Sequence, residues 1–342
     1  MSIPQPIQTR IKLLFTEKGV DVTKDITPDL LSFSYEDKEN NEADEITIRL
    51  KDESGKWAGL WKPDGGETVK AYILPGTIQK ATGTLYCGKF YVDEVTISGS
   101  PRTCEIRAVS IPLNVPIRRK MKTKAWEKKD LKGIAEEIAK NHGLALVWES
   151  EINPEYDRQE QSRQSDLNFL SKLCEEAGCS VKITDKKLVV FDQSAYEKKK
   201  PIKTLSLGVS DIKSGWSFAL SQSETYRSCT IKYRDPKTRK VNSYTYTDPL
   251  ADENGQEYTM KIRARSIDEA KQLARAKLRK LNLRKVTGSL SVIGDIELLA
   301  GMVIHCKGFG SIDGNFIIER ASHSVSNGYT TSVDLRRVNS SF

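Results

Sequence analysis

Glu45-Ile46-Thr47-Ile48-Arg49-Leu50 alternates without a fault: Ile46, Ile48 and Leu50 fall on one side, charged and hydroxyl side chains on the other. A period of two is the mark of a strand with one buried face, because successive side chains leave a pleated backbone in opposite directions. The flanking sequence follows the same pattern. Ile7 to Phe15 alternates loosely, and Thr84 to Ile97 and Arg102 to Val109 form two further runs separated by Ser98-Gly99-Ser100-Pro101. Lys62-Pro63-Asp64-Gly65-Gly66 and Leu74-Pro75-Gly76 are turn-formers between them. Residues 1–112 therefore read as a β-meander suited to a barrel or sandwich.

The character changes at Ile111-Pro112-Leu113-Asn114-Val115-Pro116, where two prolines disfavour regular structure. Beyond it, Leu131, Ile134, Ala135, Ile138 and Ala139 share one helical face, with Asp130 as cap and Gly143 as stop. A second helix follows from Ser165, an N-cap, to Ala177, with Gly178 as its stop. Cys179 to Thr184 and Lys187 to Asp192 then form a hairpin that sets Val181 and Ile183 against Leu188 and Val190. Helices alternating with short strands make residues 113–200 a small α+β module, closed by the charged linker Tyr196-Glu197-Lys198-Lys199-Lys200-Pro201. Strands return in residues 201–342, interrupted by one helix over 266–283. Its capping box is Ser266 with Glu269, and its expected buried stripe is Ile267, Ala270, Ala274, Leu278 and Leu281.

The chain has 342 residues, enough for two or three domains, with 38% hydrophobic and 29% charged residues. No stretch approaches a membrane span, and MSIPQPIQTRIKLLF lacks the pattern of a secretion signal. The net charge of +8 is uneven. Residues 1–112 hold 14 basic and 17 acidic side chains, 113–200 hold 18 and 15, and 201–342 hold 22 and 14. A basic last third points to a polyanionic partner or an acidic protein neighbour. Six scattered cysteines read as small buried thiols, with a reducing cytoplasm as the place of synthesis.

No constellation for catalysis stands out. His142 sits in the last turn of a helix, where a cation complements the dipole, and His305 and His323 fall in strands without a third metal ligand. Cys174 and Cys179 lack zinc-site spacing. Lys307-Gly308-Phe309-Gly310-Ser311 has the look of a phosphate loop but lies between strands, so it reads as a hairpin connection. No catalytic, cofactor or metal residue is assigned. The remaining candidates are Lys271, Arg275 and Arg279, spaced by four along the last helix as a polyanion or subunit contact. No base-stacking aromatics interleave with them, which favours a solvated face or a bridge to a neighbouring subunit.

Several blocks together resemble the phage late control protein D family, the baseplate hubs of contractile tails. They are Val115-Pro116-Ile117-Arg118-Arg119-Lys120, Thr123-Lys124-Ala125-Trp126-Glu127, the helix Leu131 to Ala139, and Gln161-Ser162-Arg163-Gln164-Ser165-Asp166-Leu167-Asn168-Phe169-Leu170 with the following hairpin. Gly294-Asp295, Leu299-Ala300-Gly301, Gly308, Gly310, Asp313-Gly314 and His323 complete the set. Type VI secretion spike hubs are more distant relatives of the same architecture. The resemblance implies an α+β, mainly β, fold: two tube-like β-barrels at 1–112 and 201–342 with 113–200 inserted. It further implies a structural role without enzymatic activity, in which a homotrimer adapts a hexameric tail tube to a trimeric spike. The spike would be a separate polypeptide, since the chain stops at Phe342. Expected partners are copies of itself, the tube protein, the spike and the tape measure, with DNA only in transit through the lumen and no cofactor. The expected location is the tail of a virion or phage-like particle. A tail-borne cell-wall hydrolase or wall-binding protein, and a nucleic-acid binder using the last helix, are the rival expectations.

Overall fold

In the computed structural model, the described residues are 9–15, 20–21, 23–39, 43–76, 83–111, 116–184, 186–210, 212, 215–221, 225–234, 240–249, 251, 253–261, 264 and 266–339. Ile7, expected to begin the first strand, and the proline boundary at 112–115 lie outside them.

Alternation builds the first block as expected. Ile46, Ile48 and Leu50 of the strand Glu45–Lys51 are fully buried against Phe33, Val69, Phe90 and Ile106. Each such side chain contributes roughly 1.5–3 kcal/mol of hydrophobic stabilisation. Across this block the antiparallel order runs Val20–Asp21, Arg10–Phe15, Thr68–Leu74, Leu85–Ser98, Thr103–Val109, Glu45–Lys51 and Leu30–Lys38.

The sheet does not stop there. Leu30–Lys38 pairs with Gly314–Val325, joining the first block to the last through Tyr329–Arg337, Val286–Ile293 and Ser217–Leu220. Val303–Lys307 and Lys203–Ser206 complete a sheet of 13 strands. The last block keeps its own core, with Leu290, Ile304, Phe316, Ile318, Val333 and Leu335 buried together. The fold is α+β and mainly β.

The α+β module forms with the expected caps. Asp130 accepts a hydrogen bond from the Gly133 N–H to start Leu131–Asn141. Ser165 does the same for Asn168 to start Asp166–Ala177, and Gly178 ends that helix at φ +92°. The expected hairpin pairs Val181 with Val190 and Ile183 with Leu188, and Ala145–Glu149 adds in parallel to its second strand. A two-stranded ribbon, Lys122–Asp130 with Glu155–Gln164, lies against the helices through buried Trp126, whose ring stacks on Phe169.

Residues 226–282 form a further unit inside the last third. Tyr226–Arg234 lies between Val241–Thr247 and Gln256–Lys261, and the helix Ile267–Asn282 covers one face. Ala270, Ala274 and Leu278 of the helix meet Cys229, Ile231 and Tyr233 in a separate core. The expected stripe is corrected at its ends. Ile267 is half exposed and Leu281 only half-buried, while Arg279 and Asn282 take buried positions. Asn282 earns its place through bonding: its side chain accepts from the Tyr226 N–H and donates to the Tyr226 carbonyl.

Candidate functional site

The strand Gly314–Val325 changes partner halfway. Residues 314–317 pair with Val303–Cys306, whereas 320–325 pair with residues 33–38 of the first block; Tyr329–Arg337 runs along the opposite edge. A bulge at Glu319 separates the two halves, and the Glu319 carbonyl accepts the Glu39 N–H at 2.9 Å. Bulges re-aim side chains where pairing changes. Here the re-aimed carboxylate meets Arg336, at 3.3 Å from its Nε, and Arg284 at 2.9 Å.

Arg336 is fully buried at the centre of this junction. Its guanidinium also reaches Glu197 of the linker helix Gln193–Glu197 and, at 3.3 Å, Glu39 at the end of the first-block strand. Glu197 binds Arg279 of the last helix at 2.7 Å as well. Three arginines and three glutamates thus converge from the first block, the linker, the 226–282 unit and the last block. Burial pushes the Arg336 pKa down, but the surrounding carboxylates outweigh it and hold the group above its ordinary value. Burial raises the Glu39 pKa despite Arg336. A buried network of this kind is weak evidence for net stability, yet removing one member is costly, because it strands the others. A cleft of about 620 Å³ opens beside it, lined by Lys38, Arg284, Arg320 and Asp334 among others.

A second contact holds the α+β module to the same seam. Lys182 Nζ lies 2.9 Å from Asp37, 3.0 Å from Asp44 and 2.7 Å from the Lys38 carbonyl. Burial pushes the Asp44 carboxyl up to about 6, against the attraction of Lys182. Beside it, His323 is fully buried, stacked on Tyr35 at 5.8 Å. Its Nε2 lies 3.1 Å from the Leu298 carbonyl and its Nδ1 2.7 Å from the Tyr329 hydroxyl, so the neutral ring donates to the first and accepts from the second. Burial lowers its pKa to about 4.

Within the module, Asp166 accepts from Lys122, from Gln161 at 2.9 Å and from His142 at 2.7 Å. Gln161 in turn accepts the Trp126 indole N–H. His142, read from sequence as a helix-end cation, is thus an Asp166 partner. The three candidate cations of the last helix are separated by the fold. Lys271 and Arg275 are exposed, Lys271 pairing with Asp268 at 3.2 Å, while Arg279 is buried on Glu197. The glycine-rich stretch is a hairpin connection in which Asp313 accepts the Gly308 and Phe309 N–H groups. Among the described residues no three His, Cys, Asp or Glu side chains gather to hold a metal. No helix there is long and apolar enough to cross a membrane. All six cysteines are buried and free, with burial raising every thiol pKa, that of Cys179 to about 11.

Residues 104–329 match the phage tail baseplate hub (GPD) family, a span that contains the ribbon, the Asp166 network, the 226–282 unit and the partner-changing strand. The chain belongs to the phage tail baseplate hub family. The probable baseplate hub protein of Escherichia phage P2 is 30% identical over 225 residues, 64% of this chain and 55% of that protein. The chain therefore spans about half the length of the curated hub it matches. The fold is shared with a Neisseria meningitidis MC58 tail protein, at TM-score 0.71 and 14% identity over 96% of this chain and 97% of that one. An Escherichia coli component of the type VI secretion system aligns at TM-score 0.58 and 14% identity, over 92% and 75%. The hub's Arg336 junction had no signature in the sequence, because Glu39 and Arg336 lie 297 positions apart. Its Asp166 network did leave one, the stretch Gln161 to Leu170 that carried the family resemblance.

Proposed function

We propose that this hub protein is a non-enzymatic adaptor that assembles as a homotrimer in the baseplate of a contractile phage-type tail. It would join a hexameric tail tube to a threefold central spike. The observation that carries the proposal is the partner change in Gly314–Val325, which welds two β blocks with separate cores into one sheet. Three chains each presenting two barrel-like blocks offer six near-equivalent faces, which is how a threefold object can meet a sixfold one. In this reading the blocks are residues 1–112 and 201–342, residues 113–200 are a peripheral insertion, and DNA crosses the lumen only in transit. The tube protein, the spike and the tape measure are the partners. Lys271 and Arg275, exposed on the 226–282 unit, are offered as contacts to a neighbouring subunit.

The test is quantitative mass spectrometry of particles sedimented from producing cells. About three copies per particle beside tube and sheath proteins is the expected result. A chain that stays soluble, or matches the tube subunit in abundance, would sink the reading.

A further inference from the structure

The outer side of the first block carries two regions of different chemistry, the second with Lys12, Lys70, Tyr72, Lys89 and Tyr91 half-buried and Tyr86 exposed. Across Glu45–Lys51, Thr103–Val109 and the far end of Leu85–Ser98, cations are answered by acids. Arg107 binds Glu45 at 2.8 Å and lies 4.0 Å from Glu94, and Arg49 stands opposite Glu105 in the ladder. Opposed charges in register are how an exposed sheet face normally settles.

Across Arg10–Phe15, Thr68–Leu74 and the near end of Leu85–Ser98 the pattern is different. Ile11, Leu13, Val69, Ala71, Ile73, Leu85, Cys87 and Phe90 point into the core, so the alternate residues share the outer face. Register sets Lys12 beside Tyr72 beside Tyr86, and in the next row Lys70 beside Lys89, with Tyr91 close to Lys89. Among the described residues, Lys12, Lys70 and Lys89 have no carboxylate partner. The outward positions of these stretches of the three strands hold no acid, and Asp21 of the next strand stands opposite Leu14 in the row of Lys70. Lys70 and Lys89 are directly opposed, which is unfavourable without an anion between them. The Tyr72 and Tyr86 rings lie 5.0 Å apart, Tyr86 is 44% exposed, and Lys89 sits 5.5 Å from the Tyr91 ring centre.

We propose that this three-stranded face, with Lys12, Lys70 and Lys89 interleaved with Tyr72, Tyr86 and Tyr91, binds single-stranded nucleic acid without sequence preference. Lysines supply the charge that follows a phosphate backbone, and flat rings on a sheet supply stacking surfaces for successive bases. Both features are present on one face, and no acid stands at the outward positions of these stretches of its three strands. The last helix also brings cations to rings, Lys271 5.9 Å from the Tyr244 ring centre and Lys277 5.3 Å from that of Tyr258, but there Lys271 is paired with Asp268. The inference is independent of the adaptor reading.

The test is fluorescence anisotropy of the full chain with a labelled 20-nucleotide oligothymidylate. Binding is expected at low salt, and three phosphates neutralised at about 0.7 each give a log–log salt slope of about −2. Replacing Tyr72 and Tyr86 by phenylalanine should leave affinity unchanged, whereas alanine at both should weaken it about ten- to a hundredfold. Lys12→Glu, Lys70→Glu and Lys89→Glu together should abolish it, with circular dichroism confirming folding. Three results would overturn the proposal. They are no binding at low salt, alanine variants as tight as the wild type, or polyglutamate displacing the oligonucleotide equally well, which would mark a site for an acidic protein. The polyglutamate competition uses the unaltered chain and so decides even if the triple variant misfolds.

Discussion

Two buried polar centres in this molecule use opposite charges and work over opposite ranges. Asp166 is an anion ringed by Lys122, His142 and Gln161, all within one module and at most 44 positions away. Arg336 is a cation ringed by Glu39, Glu197 and Glu319, drawn from three separate parts of the chain. The first knits a ribbon to its helices; the second locks separate units into one arrangement. Similar chemistry therefore serves local order in one place and long-range assembly in the other.

The sharpest way to break this contrast is Arg336→Ala. Buried Glu39 and Glu197 and half-buried Glu319 would lose their common partner, at a cost of about 3–5 kcal/mol. Urea unfolding should show it, together with loss of the single transition as the blocks uncouple. An unchanged midpoint would mean that the node is decorative. Acidification comes next. His323 is held neutral, with its pKa lowered to about 4 from the usual 6.5. Below about pH 6.5 the unfolded chain takes up a proton that the native state refuses until about pH 4. Stability is therefore lost as pH falls through that window, by about 3 kcal/mol at most. Asp44, raised to about 6, opposes this, because its native form binds a proton more readily than its unfolded form between about pH 4 and 6. In pH-dependent unfolding, His323→Gln should remove the acid-induced loss, and Asp44→Asn should deepen it. Reversed slopes would refute both assignments.

Asp166→Asn keeps the shape but removes the charge that Lys122 and His142 share. About 2 kcal/mol is expected, in line with losing a charged hydrogen-bond acceptor in a buried site. Hydrogen exchange should rise along 122–130 and around 142 while the long sheet stays protected. Spread of that effect to residues 314–337 would erase the distinction between local and long-range centres. The smallest effect is Ser266→Ala, which removes the N-cap of the last helix at a cost of about 1 kcal/mol. Thermal melting should report it, with exchange confined to the 226–282 unit.

What the sequence disclosed follows the reach of each interaction. Ile46, Ile48 and Leu50 announced their strand, and Asp130, Ser165 and Ser266 announced their helices, because alternation and caps are written within a few positions. The Glu197 partner of Arg279 is not legible, because spacing along a helix says nothing about a residue 82 positions earlier. His323 looked like an ordinary strand residue; its burial depends on Tyr35 and Leu298 arriving from elsewhere. The outer face of Lys12, Tyr72 and Tyr86 was hidden for the same reason, since it exists only once three strands align. The 226–282 unit was legible as strands and a helix but not as a separate core.

The partner change in Gly314–Val325 also constrains how the protein is born. A ribosome releases residues 30–38 long before residues 320–325, and one edge of the first block waits bare in between. At about 5–20 residues per second that wait is on the order of 15–60 s. An uncovered strand edge is the hazard that leads nascent chains into aggregates. The first block therefore cannot be finished on its own, and completion of the last block and closure of the first are a single late event in synthesis.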